Sequence, residues 1–123
     1  MILSQQQPAP GLFVFDPIIP HLFNDAAPSE QESLSKTAIP HAERVIKTPV
    51  LPPLWADKAL DGRRIWLKAM LDGTFPPEVA QAFIDGSGVE WEVVERDVGH
   101  CGCVTRPGVV AEVVLGAVGR FAG

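Results

Sequence analysis

Two side chains in this sequence have the types and the spacing for acid–base chemistry. Asp72 follows the apolar run Arg64-Ile65-Trp66-Leu67-Lys68-Ala69-Met70-Leu71, and His100 stands in Asp97-Val98-Gly99-His100-Cys101-Gly102-Cys103-Val104-Thr105-Arg106-Pro107. A carboxylate within hydrogen-bond reach of an imidazole fixes its tautomer and stabilises the imidazolium, which is what a general base in acyl transfer needs. One histidine on one loop reads by itself as a surface residue. The segment between the two residues gives the pair its interest.

Arg64 to Leu71 is short and nearly continuously apolar, as expected of a strand buried on both faces. It ends at Asp72-Gly73. Pro76-Pro77 then opens a helix, in whose first turn proline is tolerated, and Val79, Ala82 and Phe83 give that helix one apolar stripe. Asp85-Gly86-Ser87-Gly88 stops it, and Val89 to Glu95 reads as a second strand leading to His100. A right-handed crossover makes two such strands parallel, so Asp72 and His100 are expected at the same sheet edge, where an α/β sheet displays its chemistry. After His100, Val109, Val110, Val113, Val114, Ala117, Val118 and Phe121 recur at helical spacing, with Pro107 in the first turn and Gly119 near the end. That stripe is expected to lie against the sheet.

These residues resemble the C-terminal half of an α/β-hydrolase, in the branch containing plant methylesterases, hydroxynitrile lyases and their microbial and fungal relatives. The likeness rests on Ile65-Trp66-Leu67 with Asp72, on Phe75-Pro76-Pro77-Glu78-Val79-Ala80-Gln81, and on Gly88-Val89-Glu90-Trp91-Glu92-Val93. Gly99-His100 followed by Arg106-Pro107 and an apolar helix extends it, and Leu22-Phe23-Asn24-Asp25 resembles a segment of the family's lid, so that about residues 12 to 121 are covered. The resemblance implies a short parallel sheet flanked by helices under a partial helical lid. It matches Asp72 to the acid position and His100 to the catalytic base, and it implies an esterase acting on a small-molecule ester without a cofactor.

The departure from the family is in the nucleophile. These enzymes carry a serine on a Gly-x-Ser-x-Gly elbow, and no such elbow occurs here. The serines are at 4, 29, 33, 35 and 87, and only Ser87 has glycine neighbours, in a turn at the opposite sheet edge from His100. The loop bearing the family's oxyanion-hole amides is missing as well. Acid and base without a nucleophile cannot form an acyl-enzyme, so the isolated chain is not expected to be competent. The alternative reading is an inactive, truncated remnant or an accessory binding protein.

His100-Cys101-Gly102-Cys103 offers soft ligands, but structural zinc sites use Cys-x2–4-Cys pairs from separated segments, so no metal is expected. A Cys101–Cys103 disulfide would be strained. Cys101 as a replacement nucleophile is disfavoured, because the residue next to a histidine points away from its ring. His21 and His41 read as lid residues, and Trp55, Trp66 and Trp91 as core or pocket wall.

The 123 residues fit one domain, with 46% hydrophobic and 20% charged content. A formal net charge of −5 with scattered Lys and Arg argues against a nucleic-acid partner. Residues 1–11 read as a flexible polar tail with neither a signal peptide nor a membrane span, and the cytoplasm is the default compartment. Residues 12–58 read as the partial lid. Within them Leu12 to Phe15 is either an edge strand or a buried loop, Ser29 with Glu32 forms a capping-box pattern for a helix to about Lys36, and a helical turn fits between His41 and Ile46. Residues 59–123 carry the strand-helix-strand-helix unit. So short a sheet leaves an exposed strand edge, from which a homodimer or a partner chain is expected.

Overall fold

The structure is a computed structural model and describes residues 4–122. Strands β1 (Ser4–Gln6), β2 (Leu12–Asp16) and β3 (His41–Ala42) form one antiparallel sheet in that order, and β4 (Ile65–Ala69) pairs in parallel with β5 (Glu92–Arg96). The helices are α1 (Ile18–Leu22), α2 (Pro28–Ser35), α3 (Arg44–Lys47), α4 (Pro77–Gly86), α5 (Gly102–Thr105) and α6 (Pro107–Phe121).

The β4-α4-β5 unit positions the site. Its parallel register runs from Ile65 opposite Glu92 to Ala69 opposite Arg96. Two further bonds continue it, Met70 N–H to the Arg96 carbonyl at 2.9 Å and Leu71 N–H to the Val98 carbonyl at 3.1 Å. The chain therefore leaves both strands side by side at their carboxyl ends, one branch carrying Asp72 and the other His100. The crossover α4 starts on Pro77 and buries Ala80 and Ile84, and Val98 behind the His100 loop is 1% exposed. Burial of a side chain such as Ile84 contributes about 1.5–3 kcal/mol.

Burial of β4 on both faces, expected from its apolar run, is not observed. Ile65, Trp66, Leu67 and Ala69 are half-buried, and the buried side chain is Lys68, whose Nζ donates to Gln81 Oε1 at 2.9 Å and lies 3.4 Å from Glu95 Oε1. The cause lies in the cover. The valine stripe of α6 faces β4, yet an apolar groove of about 590 Å³ lined by Ile65, Leu67, Val110, Val114 and Phe121 separates them. Arg120 Nη2 bonded to Glu92 Oε1 at 2.8 Å ties the far end of α6 to β5.

The N-terminal half departs further from expectation. Of the expected flexible tail, residues 1–3 lie outside the described residues, and Ser4–Gln6 are a strand paired with Val14 to Asp16. Ser-Gln-Gln shows no apolar alternation, so only pairing with β2 reveals it as a strand. Leu12 N–H bonds the Ala9 carbonyl at 3.1 Å with Gly11 at φ 75°, so Pro10-Gly11 turns the chain as a type II turn requires. Leu12 to Asp16 is thereby a central strand, and the region expected to be helices and loops carries a three-stranded sheet. Phe13, 3% exposed, packs edge-on against Phe15 and stacks on His41. The N-cap of α2 is Ala27, two residues before the expected Ser29, and the box is a different one, with the Glu30 carboxylate accepting from the Ala27 N–H at 2.9 Å. Among the described residues, no helix is long and apolar enough to cross a membrane.

Candidate active site

Asp72 stands three residues past the end of β4, and its two oxygens have separate tasks. Oδ1 accepts from the backbone N–H groups of Thr74 and Phe75, each at 2.8 Å, which turns the chain sharply toward α4. Oδ2 lies 2.9 Å from His100 Nδ1. A carboxylate only accepts, so Nδ1 carries a proton, and in the neutral ring Nε2 then keeps the lone pair. The Asp72 side chain is 7% exposed and that of His100 is 35% exposed. Among the described residues nothing bonds Nε2. The arrangement is a buried carboxylate orienting a half-open imidazole whose free nitrogen can take up a proton.

Ser87, the serine with glycine neighbours, does not approach His100. The Ser87 hydroxyl donates to the Ile84 carbonyl at 2.7 Å and accepts from Trp91 Nε1 at 2.9 Å, so it closes the turn between α4 and β5 at the end opposite His100. Both cysteines are free thiols. Burial pushes the Cys101 thiol up from its ordinary value, and Cys103, Asp72 and Asp25 push it the same way. It therefore stays protonated at neutral pH, the reverse of what a thiolate nucleophile or metal ligand requires. Among the described residues, no group of three or more His, Cys, Asp or Glu side chains is placed to hold a metal ion.

The sequence matches no protein-family model and no curated protein. The structure does have solved neighbours. The crystal structure of polyneuridine aldehyde esterase superposes with a TM-score of 0.66 at 18% identity, covering 93% of this chain and 47% of that one. The fold is that of the C-terminal portion of an α/β-hydrolase. A histidine-to-alanine mutant of the same esterase gives 0.64 with the same identity and coverage. The chain thus spans about half the length of the α/β-hydrolase neighbours it matches.

Within this fold, sequence reasoning missed the residues that brace the two loops. Asn24 Nδ2 donates to the Leu71 carbonyl at 2.7 Å and Thr74 Oγ1 to the His21 carbonyl at 2.6 Å, so the α1–α2 segment holds the Asp72 loop. The same segment holds the His100 loop, through Cys101 N–H to the Leu22 carbonyl at 3.1 Å and Gly99 N–H to Asp25 Oδ2 at 2.9 Å. Leu22-Phe23-Asn24-Asp25 was the available signal, legible only as a lid-like stretch. Beside it an apolar cleft of about 870 Å³ opens between the β1–β3 sheet and α1, with Phe13, Phe15, Ile18, Phe23, Leu34 and Thr74 in its walls.

Proposed function

We propose that this chain supplies the base and the orienting acid of an ester-hydrolysing site, with the nucleophile outside these 123 residues. His100 Nε2 takes the proton of the attacking hydroxyl. Asp72 holds the ring in the tautomer that leaves Nε2 free and stabilises the imidazolium that results. The observation that carries this reading is the 2.9 Å His100–Asp72 bond at the carboxyl end of the parallel pair. The α/β-hydrolase fold and the esterase named among the neighbours support it.

The wall of the 870 Å³ cleft is apolar, which suits a small hydrophobic ester, and Thr74 connects that wall to the Asp72 loop. Among the described residues the outer edge of β4 has no strand beside it. An unpaired edge is a template for another strand, so we propose that the segment bearing the serine, which is not part of these 123 residues, pairs on that side. A non-catalytic binding protein is the second reading, favoured by the same cleft together with the missing elbow.

Intact-mass analysis after treatment with a fluorophosphonate, which labels activated serines, tests where the nucleophile is. The proposal expects no adduct on any of the five serines. A stoichiometric serine adduct that disappears in His100→Ala would place the nucleophile on this chain and overturn it. Saturable binding of a naphthyl ester without turnover would favour the binding-protein reading.

A further inference from the structure

The Asp25 carboxylate is 4% exposed, and no step of ester hydrolysis uses it. Oδ2 accepts from the Gly99 N–H at 2.9 Å and the Thr105 hydroxyl at 2.9 Å, and lies 4.0 Å from Arg106 Nε. Oδ1 is buried with no hydrogen-bond partner and lies against the Gly99 Cα, where a Cβ would overlap it. A buried, incompletely satisfied carboxylate is costly, so its placement has to be enforced by the surrounding fold. Its contacts fall on both sides of His100. Gly99 precedes the histidine, and Thr105 and Arg106 close the helical turn that follows it.

We infer that Asp25 is a positioning residue for His100, anchoring the loop so that the imidazole stays within reach of Asp72. The inference rests on the proposed role of His100 as base. The peptide N–H groups on either side of His100 both bond to the α1–α2 segment, that of Gly99 to Asp25 and that of Cys101 to the Leu22 carbonyl. The same segment braces the Asp72 loop through Asn24 and the His21 carbonyl. One stretch of five residues therefore sets the distance between the two loops, and Asp25 is its charged contact. A hydrogen bond to a charged acceptor is stronger than a neutral one, which suits a loop that has no ladder partner at Gly99.

NMR of the full chain tests this. In the unaltered protein, the Gly99 amide should exchange slowly with solvent, because Asp25 is its acceptor, and the His100 Nδ1–H should give a downfield resonance from its bond to Asp72. In Asp25→Ala, Gly99 exchange should rise about 10-fold or more and the Nδ1–H resonance should broaden or vanish. The amides of Met70 and Glu92, which donate across β4–β5 to the Arg96 and Arg64 carbonyls, should keep their protection, which separates positioning from general loosening. An unchanged Nδ1–H resonance and Gly99 rate in a folded Asp25→Ala chain would overturn the inference. So would an unprotected Gly99 amide in the unaltered protein, a reading that needs no variant to fold. These readouts are independent of ester turnover, so failure of the hydrolytic reading and failure of the positioning role are separate results.

Discussion

Asp72→Asn is expected to lower His100-dependent hydrolysis of an activated ester by about 10²-fold or more, the scale of one general base, while the fold survives. The amide is nearly the size of the carboxylate. Its oxygen can still accept from Thr74 and Phe75, which Asp72 Oδ1 engages at 2.8 Å, so the turn into α4 is retained. The other arm then presents an N–H to His100 Nδ1. To accept it the ring must move its proton to Nε2, the nitrogen that has to be free to act as a base. Parallel thermal unfolding should show a small change beside the large loss of rate. Equal rates for the two proteins would mean that the 2.9 Å bond has no part in the chemistry.

Gly99→Ala is the substitution with the largest expected structural effect in the site. A Cβ there would overlap Asp25 Oδ1 and lie 2.8 Å from Asn24 Oδ1. Asp25 is buried and bonded on its other oxygen, so it has little room to yield. Overpacking of this kind costs about 1–3 kcal/mol, and the Gly99 loop is the side that can move. The expected result is a lower urea midpoint, together with loss of the His100 Nδ1–H resonance. Unchanged stability would show that Asn24 and Asp25 do not enclose the loop as described.

What was legible in the sequence followed from local pattern. The apolar runs of β4 and α6, the Pro76-Pro77 helix start and the Asp85-Gly86-Ser87-Gly88 stop are local signals, and together they gave the strand-helix-strand unit. The separation of Asp72 and His100 by one crossover then placed both at one sheet end, where they are bonded. What was not legible depends on contacts far apart in the chain. Ser4–Gln6 become a strand only through pairing with residues 14–16, and the half-exposure of β4 reflects how α6 sits rather than any property of Ile65-Trp66-Leu67. Asp25 is the clearest case. It reaches Gly99 and Thr105 across 74 and 80 positions, and nothing near it in sequence distinguishes it from a solvated loop aspartate.

The central claim is that this chain carries a working base and acid without a nucleophile. The pre-steady-state time course of p-nitrophenyl acetate cleavage tests it most directly, in the unaltered chain and in His100→Ala. A p-nitrophenolate leaving group needs no acid, so an oriented imidazole that takes a proton from attacking water can release acetate and p-nitrophenolate slowly, without an acyl-enzyme. The account predicts slow turnover with no initial burst, falling about 10²-fold in His100→Ala. Equal rates in the two proteins would contradict the base, and a stoichiometric burst from the chain alone would contradict the missing nucleophile.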